Sequence, residues 1–516
     1  MDFKIENNNL MTEGLAIRLS EQENLRTAYW DTKDAFVDLR MKWRASMMRH
    51  LFHILPGQEI LEIGAGNGRF TSELSVATRN ECKITALVFS PHHKTEIENK
   101  CKGRNVEVIC SDFFPGVLQA RRFDYIVANH LLGYSFRDIF LYVVKTLLKP
   151  GGGVLIFEPN PWNPYLRIRR AIQCLLPFYP KSDKEPFSLN RIQVFSVLSE
   201  IGYVQINALP YDFCYFPIPR FLLWPVKNLS IIIENFPYLR NFAGALYIWA
   251  RSPALVGSKQ LAIDLCEHQM FFSKVSFVIP CYNEEMNIAS LVGDIANFYG
   301  KYINEIIIVD DNSTDKTAAV TEDLAKEYKY VRLIKRLPPN GVGRALRDGL
   351  NAASGEYIVI MDSDFRHIIP EIRDLFDVVA SGADVAIGSR FSPNSVMINY
   401  AFTKIIANRF FHLLANILLG KRFRDVSNNL KIFRKEVAKN IIIESDDFAA
   451  NAETGLKPIL LGYKVVEVPI SWINRSINMG FSTFKIFKTG PNYSKILFKL
   501  FWRRITGQPC QKKTKE

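Results

Sequence analysis

Three apolar runs in the C-terminal half end in polar or acidic clusters. SFVIP leads into Cys281–Glu285 (CYNEE), EIIIV into Asp310–Asp315 (DDNSTD) and EYIVIM into Asp362–Asp364 (DSD). If each run is a strand, all three deliver their polar groups to one sheet edge, where open α/β folds bind ligands. Asp362 and Asp364 are two hard carboxylates at a spacing suited to Mg²⁺ or Mn²⁺. Such a cation neutralises a leaving diphosphate. The N-terminal half carries a different constellation. Glu62, Gly64, Gly66 and Gly68 follow an apolar run in EILEIGAGNGRF. Glycine tolerates positive φ and lets a ligand approach the backbone closely. His50 and His53 stand three apart, but without a third ligand nearby they read as an ordinary helix surface.

The elements that must hold these groups alternate. Strands are expected at EILEI, KITALVF, NVEVIC, FDYIVAN and GGVLIFE, and again at SFVIP, EIIIVDD, VRLIKR, EYIVIMD and DVAIGS, with helices between. Continuous apolar strands separated by helices predict two buried, mostly parallel sheets. The fold class is therefore α/β, with two Rossmann-like domains in series. The expected boundaries are a first domain over 1–252, a linker over 253–270, a second domain over 271–490 and a basic amphipathic tail over 491–516. Residues 1–57 read as helices packing ahead of the first strand.

The first domain resembles the class I S-adenosylmethionine-dependent methyltransferases from about residue 25 to 250. The glycine turn, SerAsp at 111–112, FDYIVANHLLGY at 123–134 and LLKPGGGVLIFEPNPWNP at 147–164 carry the likeness. It implies a cofactor site at Glu62, Gly64, Gly66, Gly68, Asp112 and Asn129, with S-adenosylmethionine as the cofactor. His130 and Glu158 are candidate bases for a methyl acceptor. One position departs from the pattern. The acid expected at the end of the second strand, for the two ribose hydroxyls, is Val88. Losing that charge-assisted pair costs on the order of 1.5–3 kcal/mol of affinity. Either the domain binds the cofactor weakly or through another group, or it is a degenerate domain that positions or regulates the second.

The second domain resembles the family 2 glycosyltransferases of GT-A fold, of the dolichyl-phosphate mannose synthase and polyprenyl-phosphate type. The likeness runs through NGVGRALRDGLNAASGEYIVIMDSDFRH, GADVAIGSRF, FRDVSNNLKIFRKE and GYKVVEVPISWINR, over most of 272–485. It implies nucleoside contacts at Pro280, Tyr282 and Glu284. Asp310 is implied at the base edge and Asp311 on the ribose side. Asp362 and Asp364 would face the diphosphate and its metal, Arg390 the acceptor phosphate, and Arg475 the phosphates from a mobile segment. Where close relatives often place a glutamine ligand, this chain has Arg366, which implies weaker metal dependence and direct neutralisation of diphosphate.

The implied chemistry is one inverting displacement of a nucleoside diphosphate by an acceptor oxygen. A lipid phosphate is already ionised and needs no strong base. A sugar hydroxyl needs one, and Asp446, Asp447 and Glu453 are the candidates, unless they only cap the helix over NAETGLKPIL. The fusion alone points to a coupled role in making a methylated surface glycan or glycolipid. The fusion adds the possibility of a bifunctional enzyme acting on a glycan hydroxyl.

Composition agrees with two globular domains: 516 residues, 48% hydrophobic and 23% charged. A net charge of +13 suits phosphate-bearing partners or an anionic membrane surface. No nucleic-acid module is recognised. Eight scattered cysteines without a CxxC pair fit a reducing compartment. Neither a signal peptide nor a spanning run is visible. Basic and apolar residues interleave over 401–422 and in the tail, as in helices that lie in a lipid interface or in core-packing helices with solvated charges. A cytoplasmic protein, peripheral on the cytoplasmic face of a membrane, is expected.

Overall fold

The computed structural model describes residues 23, 35–111, 118, 120–129, 132, 137–165, 167–168, 171, 189–213, 218–236, 238–254, 263–398, 400–473 and 486–507. Contacts divide the chain into two compact units, Met1–Gln260 and Leu261–Glu516.

In the first unit every expected strand forms. They are β1 (Glu59–Ile63), β2 (Lys83–Val88), β3 (Val106–Cys110), β4 (Phe123–Asn129) and β5 (Leu148–Pro159), joined by β6 (Val204–Tyr211) and β7 (Ala245–Arg251). The sheet order is β3-β2-β1-β4-β5-β7-β6. All pairs through β5 are parallel, whereas β7 runs antiparallel to both neighbours. Helices α1 (Ala35–Phe52), α2 (Arg69–Ala77), α3 (Pro91–Lys100), α4 (Arg137–Leu147) and α5 (Arg191–Ile201) accompany it. Apolar strand residues such as Leu61, Ile63, Leu87, Ile126 and Ile156 form the core with Phe140 and Val144 of α4. The chain leaves β1 toward one edge and returns at β4 toward the other. That reversal opens a crevice at their carboxyl ends, where the glycine turn and Asn129 lie. His50 corrects one expectation: at 4% exposure it belongs to the buried side of α1, not to a surface face.

The second unit repeats the plan with different details. Its strands are β8 (Val275–Cys281), β9 (Ile303–Asp310), β10 (Val331–Lys335), β11 (Tyr357–Ile360), β12 (Val385–Ser389), β13 (Val396–Ile398), β14 (Lys431–Arg434), β15 (Val465–Pro469) and β16 (Ser471–Ile473). The main sheet runs β10-β9-β8-β11-β14-β12-β15, and β13 pairs with β16 apart from it. Strand β14 is antiparallel to β11 and β12. The reversal lies between β8 and β11, so the ends of β8, β9 and β11 share one crevice edge. Helices α6 (Ile288–Tyr299), α7 (Val342–Ala352), α8 (Phe402–Leu419), α9 (Ala450–Leu460) and α10 (Ile486–Thr506) complete the parts needed below. The start of α7 is tightly fitted: a Cβ on Gly343 would stand 2.1 Å from the backbone oxygen of Ser445.

The expected tail is a helix that begins five residues earlier and has two faces. Ile496, Leu497 and Leu500 of α10 enter the same core cluster as Ala415 and Leu419 of α8. Phe498, Trp502 and Ile505 remain exposed. Glu444 fastens the helix, accepting from Lys499 Nζ at 2.7 Å and Arg503 Nη2 at 2.8 Å. Burial opposes its ionisation, but the hydrogen bonds from Lys499 and Arg503 prevail and hold its pKa down to about 2. A folded pKa below the unfolded one contributes stability above the ordinary carboxylate value that is lost as pH falls through the folded value. Acidification from pH 4.5 toward 2 is therefore expected to loosen α10. Trp502 emission against pH checks this, and Glu444→Gln should abolish the change within that window.

Candidate functional site

A cavity of about 420 Å³ opens at the crevice edge of the second unit. Its walls include Pro280 at the end of β8, Tyr282 and Glu284 after it, Asp311 after β9, Asp362 and Asp364 after β11, and Arg390 after β12. The loops after β8 and β9 interlock. Asn283 N–H donates to Ser313 Oγ at 2.9 Å, and Asn283 Oδ1 accepts from Thr314 N–H at 2.8 Å. Glu285 Oε2 accepts Lys316 N–H at 2.8 Å, while Glu285 N–H donates to Asp315. Asn283 and Asn312 both adopt positive φ, which asparagine tolerates better than most residues.

The paired acids Asp310 and Asp311 separate. Asp310 is buried, receives Ser313 N–H at 3.1 Å and is not among the cavity-lining side chains. Asp311 lines the cavity, and its oxygens meet Arg336 and the Gly341 N–H. Glu284 Oε2 accepts from Asn287 at 2.5 Å. Asp362 receives Asn429 Nδ2 at 2.6 Å, while the Asn429 Oδ1 is buried without a hydrogen-bond partner. Two carboxylates and a buried, unsatisfied amide oxygen make a donor set of hard oxygens, which fits Mg²⁺ or Mn²⁺. The backbone at Arg366 follows directly, but its side chain, like all of Arg475, lies outside the described residues.

Arg390 is the best-anchored cation of the site. Its Nε and Nη2 donate to Asp425 at 2.7 and 2.8 Å, its backbone N–H reaches the same carboxylate at 3.0 Å, and Nη1 donates to Tyr400 at 3.0 Å. Asn408 adds a further bond to Asp425 at 3.1 Å. The Arg390 guanidinium holds the buried Asp425 carboxyl well below the usual range, against the opposing effect of burial. Behind the cavity, the fully buried Lys431 of β14 donates to Asn428 O, Asn451 O and Thr454 Oγ1 at 2.5, 3.0 and 3.0 Å. Burial pushes its pKa down to about 7. Two of those partners, Asn428 and Asn451, line the cavity.

Asp425, Asn429 and Lys431 were not singled out from sequence. A lysine inside the apolar strand LKIF was the available signal, because a charge within a buried strand must find partners. Asp425 carried no signal, since an acid in a loop looks like any other.

The far side of the cavity is formed by Tyr400, Lys404, Phe410, Phe411 and Leu414 near or on α8, with Trp472 and Tyr493. The three candidate bases are committed elsewhere. Asp446 pairs with Arg344 and Arg347. Asp447 accepts Ala449 N–H at 2.9 Å. Glu453 pairs with Lys457 at 2.7 Å and accepts backbone N–H groups of Glu444 and Ser445.

In the first unit Gly64, Gly66 and Gly68 all adopt positive φ, at 68°, 56° and 74°. A Cβ on Gly68 would also stand 2.6 Å from Ile97 Cγ1. The Gly64 and Ala65 N–H groups both donate to Leu87 O, fixing the turn against β2. Glu62 is buried and accepts Thr71 Oγ1–H at 2.6 Å. The end of β4 brings Asn129, also buried, alongside. Glu158 is a satisfied strand-end acid that accepts Leu132 N–H at 2.8 Å. Asp112 and His130 lie outside the described residues. Val88 closes β2 with an apolar, fully buried side chain. Glu23, from far upstream, instead brings its carboxylate against the turn.

The family model described as "Glycosyl transferase family 2" matches residues 276–442. The second unit carries a family 2 glycosyltransferase domain. A "Methyltransferase domain" model matches residues 60–152, so the first unit carries a methyltransferase domain. The glycosyltransferase domain is similar to a dolichol-phosphate mannosyltransferase of Pyrococcus furiosus, 33% identical over 202 residues, which are 39% of this chain and 56% of that protein. The chain thus spans about half the length of that relative. A polyprenol monophosphomannose synthase of Mycolicibacterium smegmatis is 28% identical over 238 residues, 45% of this chain and 87% of that protein. Among solved structures, a glucosyl-3-phosphoglycerate synthase from Mycobacterium tuberculosis with Mn²⁺ and UDP-glucose aligns at TM-score 0.35 and 18% identity, over 45% of this chain and 78% of that one. The CurJ carbon methyltransferase aligns at TM-score 0.32 and 20% identity, over 46% and 61%.

Proposed function

We propose that the glycosyltransferase domain moves a hexose from a nucleoside diphosphate to a polyprenyl phosphate, with inversion at the anomeric carbon. One observation carries the choice of acceptor. The three acids read as candidate bases, Asp446, Asp447 and Glu453, are committed to ion pairs or a helix end, while Arg390 and Lys404 line the cavity beside Tyr400, Phe410, Phe411, Leu414, Trp472 and Tyr493. A phosphate oxygen is ionised at neutral pH and needs cations, not a base. The names of the archaeal and mycobacterial relatives support the same acceptor class.

In this reading Tyr282 and Glu284 hold the nucleoside, and Asp311 the ribose side. Asp362 and Asp364, with the Asn429 amide, would hold a divalent cation, which supplies charge neutralisation for the departing diphosphate. Asp425 and Tyr400 fix Arg390 but leave an N–H on each terminal nitrogen to grip the acceptor phosphate. The phosphate oxygen attacks the anomeric carbon, and the bond from that carbon to the diphosphate breaks. Holding the two reactants in line is the main contribution of such a site.

The test supplies purified chain with polyprenyl phosphate, Mn²⁺ and a panel of labelled nucleotide sugars. Expected is label in organic-extractable lipid from one donor. Transfer to a glycan hydroxyl in the absence of polyprenyl phosphate overturns the reading.

A lipid acceptor also calls for a membrane surface. Among the described residues no helix is long and apolar enough to cross a membrane. Ile406, Phe410, Leu413 and Ile417 form an exposed stripe along α8, and Phe498, Trp502 and Ile505 another along α10. Lys404, Lys421, Arg422, Lys495 and Arg504 accompany these stripes in the sequence. Peripheral attachment through these two helices follows, with apolar side chains in the interface and lysines reaching to headgroups. Burying one such aromatic is worth ~1.5–3 kcal/mol, so Phe410→Glu and Trp502→Glu should each weaken partition into anionic vesicles by about tenfold or more. Co-sedimentation checks this.

A further inference from the structure

The methyltransferase domain contains an anion seat that the chain itself fills. The N–H groups of Gly66, in the glycine turn, and Phe89, the residue after Val88, converge on one carboxylate. That carboxylate belongs to Glu23: Gly66 N–H reaches Oε1 at 3.0 Å and Phe89 N–H reaches Oε2 at 2.9 Å. His93 Nδ1 lies 3.3 Å from the same Oε2. The three contacts come from the turn after β1, the end of β2 and the first turn of α3, while Glu23 precedes them by 43 to 70 residues. Backbone N–H groups that converge in this way form an anion-binding concavity.

An adenosyl cofactor does not fit here as the structure stands. It needs the backbone of the glycine turn and an acceptor for the ribose diol. The acceptor position at the end of β2 is Val88, which offers none. Glu23 is chemically able to accept from a diol, but it is only 1% exposed. Both its oxygens are turned to the backbone. Gly66 and Asn67 beside it are buried as well. A ligand would have to displace a carboxylate held by two backbone hydrogen bonds, with the His93 imidazole 3.3 Å away, before touching the turn.

We propose that Glu23 is a built-in occupant of the cofactor seat, which keeps the N-terminal domain from taking an adenosyl ligand until that side chain is withdrawn. The proposal rests on reading the glycine turn as the cofactor seat. It assigns the expected absence of binding to two residues acting together: Val88, which offers no acceptor, and Glu23, which fills the space. It adds a named competitor to the scaffold reading of this domain.

Calorimetry on the full-length chain with S-adenosylmethionine and S-adenosylhomocysteine tests it. Wild type is expected to give no heat up to millimolar ligand. Glu23→Ala should open the seat, and Glu23→Ala with Val88→Asp should bind at least tenfold more tightly than wild type. Adding Gly66→Val to that double variant should abolish the gain. Circular dichroism and melting temperature monitor folding. If Glu23→Ala does not fold, Glu23→Gln keeps the shape and one acceptor, and a smaller gain is expected. Two results overturn the proposal alone: wild type binds and Glu23→Ala weakens it, which makes Glu23 a cofactor contact; or the folded double variant binds no better than wild type. Binding by the double variant that survives Gly66→Val places the ligand elsewhere. That result overturns the reading of the turn, and the proposal with it.

Discussion

Replacing Asp364 by asparagine should lower the rate of sugar transfer by about 10²–10³-fold, the usual loss when one preorganised electrostatic group is removed from a site of charge development. The change keeps the volume of the side chain and removes only its charge. Asp364 lies four residues beyond β11 in the cavity wall, which Asp362 shares. Neither side chain belongs to the apolar core, so the melting temperature should change little. The measurement is kcat at saturating donor and polyprenyl phosphate, with Mn²⁺ affinity read separately by electron paramagnetic resonance. A variant that transfers at the wild-type rate would remove Asp364 from the reaction.

Asp425→Asn should act on both fold and activity. Asp425 is fully buried and receives three bonds from Arg390 and one from Asn408. Taking one partner from a buried ion pair costs roughly 3–5 kcal/mol, because the remaining charge is left uncompensated. A large fall in melting temperature is expected, together with a rise in the apparent KM for polyprenyl phosphate as Arg390 loses its fixed orientation. Arg390→Lys separates the two effects. It keeps the charge beside Asp425 but loses the planar fork, so stability should fall less than in Asp425→Asn while transfer falls comparably. Urea unfolding alongside initial rates decides between them.

The residues that gave these predictions differ in how readable they were. Asp362 and Asp364 were legible because an apolar strand ending in acids has few purposes other than presenting them. The glycine turn was legible because three closely spaced glycines imply positive φ, which all three adopt. Strands β1–β5 and β8–β12 were legible because strands buried on two faces are continuously apolar, whereas β6, β7, β14 and β15, which complete the two sheets, were not expected. The partners of those residues were not. Arg390 draws its rigidity from Asp425, 35 positions away, and Gly66 draws its contact from Glu23, 43 positions away. Spacing along the chain holds no record of such pairs. Tail residues 491–506 showed their amphipathic character, but not that one face completes the core beneath α8. His50 failed as a surface residue because two histidines three apart say nothing of which face of α1 is covered.

The interlocked loops after β8 and β9 bear on the energetics of donor binding. Four reciprocal bonds between Asn283, Glu285 and the 313–316 segment fix the backbone before any ligand arrives. Ordering a loop on binding is paid from affinity, commonly at about 0.5–1.5 kcal/mol for each immobilised side chain. Here that entropy has already been surrendered during folding. The nucleoside therefore meets a rigid edge, and its binding should carry a small conformational-entropy penalty and only a modest heat-capacity change.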